Sequence, residues 1–191
     1  MTRAPLPDPG DLRARPAVLL GELEHHIGVR AAAELCADLL TGADPHEYAA
    51  ELVYLAGVHT RSVLRGELAD YWVRVWGARG LRYAWVDSVA PAVVAGLRDE
   101  HWRVAEMSVK VAGLRELGEA GDGVAALAGH ELPRVRAAVV TTLGAIGDTE
   151  HVDVVRAASG DENLAVRRAA GRSMKTMVTR LDLMLDLDDM S

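Results

Sequence analysis

Phenylalanine is absent from this chain, and cysteine occurs once, at Cys36. A single thiol excludes an internal disulfide and a zinc site built from cysteines alone. The expected state of Cys36 is a small buried hydrophobe. Only 4% of the 191 residues are aromatic although 50% are hydrophobic, so the core must be built from small and aliphatic side chains. Alanine and leucine are also strong helix formers. No run of about 18 apolar residues occurs, so no membrane span is expected. The opening stretch MTRAPLPDPGDLRARP lacks the apolar core of a signal peptide. Neither a glycine-rich phosphate loop nor a Gly-x-Ser-x-Gly elbow is found. A formal net charge of −7 opposes non-specific nucleic-acid binding across the whole surface, while leaving room for a local basic groove. The expectation is a soluble, cytoplasmic chain with a single domain spanning 1–191.

What the chain does have is an interval. Val73, Val104, Val135 and Val166 follow one another at steps of 31 residues, inside VRVWGARGLRYAW, VAEMSVKVAGLRELG, VRAAVVTTLGAIG and VRRAAGRSMKTM. Asp99 and Asp161 keep step, two periods apart, with His130 at the place between them. Leu81, Leu143 and Met174 are also in register, with Ala112 in that slot of the second unit. A fixed period of this length marks stacked supersecondary units. Apolar residues at Val135, Val139, Leu143 and Ile146 step by three or four, which is helical spacing. Each unit reads as a short helix, a turn and a longer helix, as in DSVAPAVVAGLRD followed by HWRVAEMSVKVAGLRELG. The Gly-Asp pairs at 121–122, 147–148 and 160–161 are expected to end one helix with a left-handed glycine and cap the next with aspartate.

The resulting layout is a flexible N-terminus over 1–10, diverged helical repeats over 11–70, regular repeats over 71–178, and an acidic C-terminal capping helix or tail over 179–191. Because one apolar face per hairpin cannot bury itself, the units must share a continuous seam. The fold class is therefore all-α, an α-solenoid of about five antiparallel helix pairs.

DENLAVRRAAGRSM and ELPRVRAAVVTTLGAIGDTEHVDVV resemble HEAT repeats, most closely the short variety known as phycobilisome-lyase HEAT-like repeats. The resemblance runs over roughly residues 70–178 and implies a right-handed solenoid. It implies that the helix opening with Val-Arg lines the concave face. It also implies that Arg74, Arg136 and Arg167 are structural repeat arginines bonded to turn acids of neighbouring units. Ala105 departs from that pattern, with Arg103 nearby as a substitute.

Positions two, three, six and ten residues after each repeat valine then face the groove. This register selects Trp76, Arg79 and Tyr83, then Glu106, Met107 and Lys110, then Thr141, then Arg168 and Arg172 as partner-binding residues. Four of these nine are cationic, which suits an acidic peptide or another anionic partner. The function expected first is a non-enzymatic interaction module. The alternative is a small-molecule or nucleobase handler, glycosylase-like or lyase-like, working at Trp76, Tyr83 and Trp85 with Asp87 at hand. The acidic net charge opposes the duplex-DNA version of that alternative. Tyr71 and Trp102, one period apart, are expected to pack between helices. The histidines beside glutamates (His25, His26, His46, His130 and His151) are expected to be exposed or capping, and neither a metal nor a cofactor is expected. Leu181, Met184, Leu185 and Leu187 offer a further face through which a second copy could dock.

Overall fold

The computed structural model describes residues 6–183. Most of the expected acidic tail, and the first half of the expected N-terminal segment, lie outside the described residues. Those described contain helices and turns and no strand, so the fold class is all-α, of the α-solenoid type. The first helices are α1 (Pro16–Ile27), α2 (Val29–Leu40), α3 (Ala49–Ala56), α4 (Thr60–Leu64), α5 (Tyr71–Gly80), α6 (Ala90–Gly96), α7 (Trp102–Leu114) and α8 (Gly121–Ala125). They are followed by α9 (Pro133–Ile146), α10 (Val152–Ala157) and α11 (Leu164–Leu181). The chain forms two compact units, one ending at Val111 and one beginning at Ala112, so the division falls within α7.

In the first unit α2 is the central rod. It packs against α1, α5 and α6, and α3 packs against α1 and α5. Its approach to α5 is close: a Cβ at Gly77 would lie 2.6 Å from the Cys36 carbonyl oxygen and 2.7 Å from the Leu40 nitrogen. Leu20, Leu23, Leu39, Leu52, Leu81 and Val93 fill the interior. Among the described residues, the glycines with positive φ (Gly28, Gly42, Gly57 and Gly66) all belong to this unit. The glycines of the three Gly-Asp pairs are not among them. Gly147 has φ −66°, and helix ends there are made otherwise than the sequence suggests. Asp148 does cap, accepting from the Thr149 N–H and closing a reciprocal box with His151. The cap of α11 is Asn163, whose side chain accepts from the Ala165 N–H at 2.9 Å.

In the second unit α9 and α11 lie side by side, α8 packs on α9, and α10 packs on α11. The repeat valines of both units are buried: Val104, Val135 and Val166 are 0% exposed and Val73 is 6% exposed. Small residues set the helix spacing. A Cβ at Gly113 would fall 2.8 Å from Thr142 Oγ1, and one at Gly144 would fall 2.7 Å from Ser173 Cβ. Gly113 and Gly144 are one period apart, as are Thr142 and Ser173, so the same notch recurs. The absence of phenylalanine fits this spacing, because such contacts leave no room for a ring.

Gly144→Ala should therefore destabilise the protein by about 1–3 kcal/mol, since the added methyl overpacks the seam. Gly171→Ala, mid-α11 and with open space where its Cβ would lie, should stabilise it by about 0.5–1 kcal/mol through helix propensity. Urea unfolding of both variants checks the pair, and a stabilising Gly144→Ala would contradict the notch.

Candidate functional site

The cations of the repeat region fall into two groups, those bound within the fold and those left over. The repeat arginines are bound. In the first unit Arg74 grips Asp99 with Nε to Oδ2 at 2.7 Å and Nη2 to Oδ1 at 3.3 Å. In the second unit Arg136 grips Asp161 the same way, at 2.7 and 2.9 Å. Each pair spans 25 residues. Arg136 also donates to the His130 and Glu131 carbonyls at 2.9 and 3.0 Å. Arg167 repeats this one period later on the Asp161 and Glu162 carbonyls, at 2.7 and 2.9 Å. The Asp161 turn is thus held through its carboxylate by one arginine and through its backbone by the next. Two-pronged guanidinium–carboxylate pairs fix orientation as well as distance.

Asp99 and Asp161 each also accept a backbone N–H two residues on, from His101 and Asn163, at 2.8 Å. His130 does the same with Nδ1, accepting from the Leu132 N–H at 3.0 Å. A neutral imidazole can replace aspartate in this turn but cannot anchor an arginine. The residue 25 positions before His130 is Ala105, so both charges of the register pair are missing together. Arg103 does not stand in for the missing arginine. Its guanidinium carbon lies 4.2 Å from the Trp102 ring centroid and 5.5 Å from that of Trp72. Tyr71, at the start of α5, stacks on His101 just before α7 at 3.5 Å, and His101 in turn lies against its neighbour Trp102.

The remaining predicted site residues separate by unit. In the first unit, Trp76 is 6% exposed and Glu106 is 4% exposed, so both are buried and neither presents a free face. Lys110 lies 2.7 Å from the Glu106 carboxylate, one helical turn away, and is neutralised by it. Met107 is half-buried. Arg79 points inward: Nη2 donates to the Leu55 carbonyl at 2.7 Å, and burial holds its pKa below the ordinary arginine value. Trp76 lies 6.0 Å from His59 and 6.1 Å from Trp72, ring to ring and near-parallel. Trp72, Trp76 and Arg79 line a cavity of roughly 660 Å³. Tyr83 and Trp85 do not line it; Tyr83 is 41% exposed, and Trp85 Nε1 donates to Asp87 at 3.1 Å. The expected trio of Trp76, Tyr83 and Trp85 is therefore not brought together there, and Trp72 takes its place.

In the second unit, Thr141 on α9 and Arg168 and Arg172 on α11 are exposed. Thr141 turns its hydroxyl back onto the Ala137 carbonyl at 2.7 Å. Arg168, Arg172 and Lys175 follow at four and three residues, along one face of α11. Among the described residues, no acid pairs with any of these three cations. The neighbouring exposed positions of α9 are small, Thr141 and Ala145.

Residues 121–183, which contain this face and the Arg136–Asp161 grip, match the family model for HEAT repeats. The chain carries HEAT repeats over these residues. No curated protein matches it.

The chain holds one cluster of metal-ligating type among its described residues, Asp122, Glu150 and His151. Its hydrogen bonds oppose a metal. His151 Nδ1 accepts from the Asp148 N–H at 3.0 Å, so the ring proton is on Nε2, which faces Asp122 at 3.2 Å. Both ring nitrogens are thus engaged, one by the turn and one by Asp122. Cys36 is fully buried, and burial pushes its thiol up to about 12, the state of an inert core residue. No helix among the described residues is long and apolar enough to cross a membrane. Of the C-terminal docking residues, Leu181 is half-buried at the end of α11, and Met184, Leu185 and Leu187 lie outside the described residues.

The Arg136 hydrogen bonds hold the Asp161 carboxyl below its ordinary value, against the opposing effect of burial. A depressed carboxyl stabilises the fold above its unfolded pKa and loses that contribution as pH falls through the folded one. Asp161→Asn should therefore lower the thermal midpoint at neutral pH, and the gap to wild type should narrow below about pH 4. Melting curves of both proteins against pH check this; a gap of constant size down to about pH 2.5 would contradict it.

Proposed function

We propose that this protein acts by binding rather than by turnover, and that the exposed face of α9 and α11 takes an acidic peptide segment of a partner protein. The observation that carries the reading is the row Arg168, Arg172 and Lys175, exposed and without an acidic partner among the described residues. In a chain of net charge −7 most cations are expected to find acids close by. The repeat arginines Arg74 and Arg136, and Lys110 beside Glu106, do so. Leaving three in a row unanswered suits a ligand that brings its own carboxylates. The small residues of α9 alongside leave space for an extended backbone. Helical repeats of this family generally mediate protein–protein contact, which supports a protein partner over duplex nucleic acid.

The row replaces the nine-residue groove as the proposed contact. Thr141, Arg168 and Arg172 are kept. Trp76, Glu106 and Lys110 are not, because burial and pairing already satisfy them. A cytoplasmic setting goes with the reading, and the single buried thiol supports it. A second reading, a small-molecule handler, is favoured by the cavity that Trp76 lines.

A fluorescein-labelled twelve-residue glutamate-rich peptide serves as the probe, with anisotropy as the readout. Binding should weaken as salt is raised. The double variant Arg168→Glu and Arg172→Glu should lose at least about tenfold in affinity with its helical content unchanged. Unchanged affinity, or tighter binding of a short DNA duplex than of the peptide, would contradict the reading.

A further inference from the structure

The cavity of the first unit is a different kind of place from the α11 face. Its walls come from the segment before α1, from the end of α3 with the turn that follows, and from α5. Leucine, alanine, proline and tryptophan make up most of the lining. At roughly 660 Å³ it lies within the range of about 300–1,000 Å³ usual for small-molecule sites.

Three features of the lining point to one class of ligand. The first is charge. Arg79 and Arg13 both line the cavity, and no aspartate or glutamate is among the described residues that do. The Arg79 fork makes one hydrogen bond, to the Leu55 carbonyl, and no carboxylate answers it among the described residues. A guanidinium offers five N–H donors. A half-buried one with a single carbonyl partner in an apolar setting retains strong affinity for an anion. The second feature is flatness. His59, Trp76 and Trp72 form a run of near-parallel rings, with interplanar angles of 18° and 26°. A planar apolar ligand gains most by continuing such a stack, at its half-buried member Trp72. The third is economy of charge. One inward guanidinium, with Arg13 exposed at the rim, matches a single carboxylate better than a polyphosphate, which needs several convergent donors.

We propose that this cavity binds an aromatic monocarboxylate, with its ring against the half-buried Trp72 and its carboxylate on Arg79. The site is separate from the peptide face: all its lining residues precede Val111, whereas the face lies on α9 and α11. Either assignment can fail without the other.

The probes are 1-naphthylacetate, its neutral amide, and decanoate as a carboxylate without a ring. Isothermal titration of the full chain should give saturable binding of 1-naphthylacetate, at least about tenfold tighter than the amide and tighter than decanoate. In ¹H–¹⁵N spectra the indole signals of Trp72 and Trp76 should shift, and those of Trp85 and Trp102 should not. Arg79→Met should abolish the preference for carboxylate over amide. Should that variant lose its fold, the comparison of the three probes on wild type decides by itself. The proposal is overturned by no saturable binding of 1-naphthylacetate, by equal affinity for acid and amide, by tighter binding of decanoate, or by shifts confined to Trp85 and Trp102.

Discussion

An arginine one residue after the repeat valine reaches an aspartate 25 residues further on, and much else in this molecule depends on that grip. It ties the start of a long helix to the turn before the next, at Arg74–Asp99 and again at Arg136–Asp161. The same turn is braced from behind by the following arginine, as Arg167 does on the Asp161 and Glu162 carbonyls. Such partly buried, two-pronged pairs define geometry more than they add stability, since desolvation offsets much of the attraction. Their second consequence is electrostatic. They tie Arg74 and Arg136 into the fold, whereas Arg168, Arg172 and Lys175 on α11, and Arg79 in the cavity, stand at other places of the repeat and have no acidic partner among the described residues.

The two units use different chemistry to fill their interiors. Every tyrosine and tryptophan of the chain lies between Tyr48 and Trp102, so the second unit has no aromatic ring of that kind at all. Its seam is aliphatic and notched, with Gly113 against Thr142 and Gly144 against Ser173. The first unit carries the rings, and with them irregular packing that leaves an open cavity. Aliphatic regularity suits a surface whose value lies in repeated spacing. Aromatic irregularity suits a pocket.

The repeat and the helical class were legible because each is a matter of spacing, and spacing is what a sequence records directly; the role of the structural arginines came from the resemblance to HEAT repeats. The series from Val73 to Val166 marks the seam, and the shared departures at Ala105 and His130 stand out against it. Exposure was less legible. Helical register tells which way Trp76 and Glu106 leave the helix, but not whether other chain covers them. In the case of Lys110 the signal was present, since Glu106 is four residues away on the same helix and such pairs attract. The Gly-Asp pairs misled about the left-handed glycines, because Asp148 acts through its side chain and needs no unusual glycine before it. The cavity had no sequence signature: part of its wall comes from Leu12, Ala14 and Pro16, in a stretch with no periodicity.

The division between bound and available cations is tested most directly by comparing the urea midpoints of Arg136→Gln and Arg168→Gln. The two positions are one period and one residue apart, and each substitution removes one positive charge. The midpoint should fall clearly for Arg136→Gln, which loses the grip on Asp161, and should not change measurably for Arg168→Gln. Equal midpoints, or a larger fall for Arg168→Gln, would contradict that division.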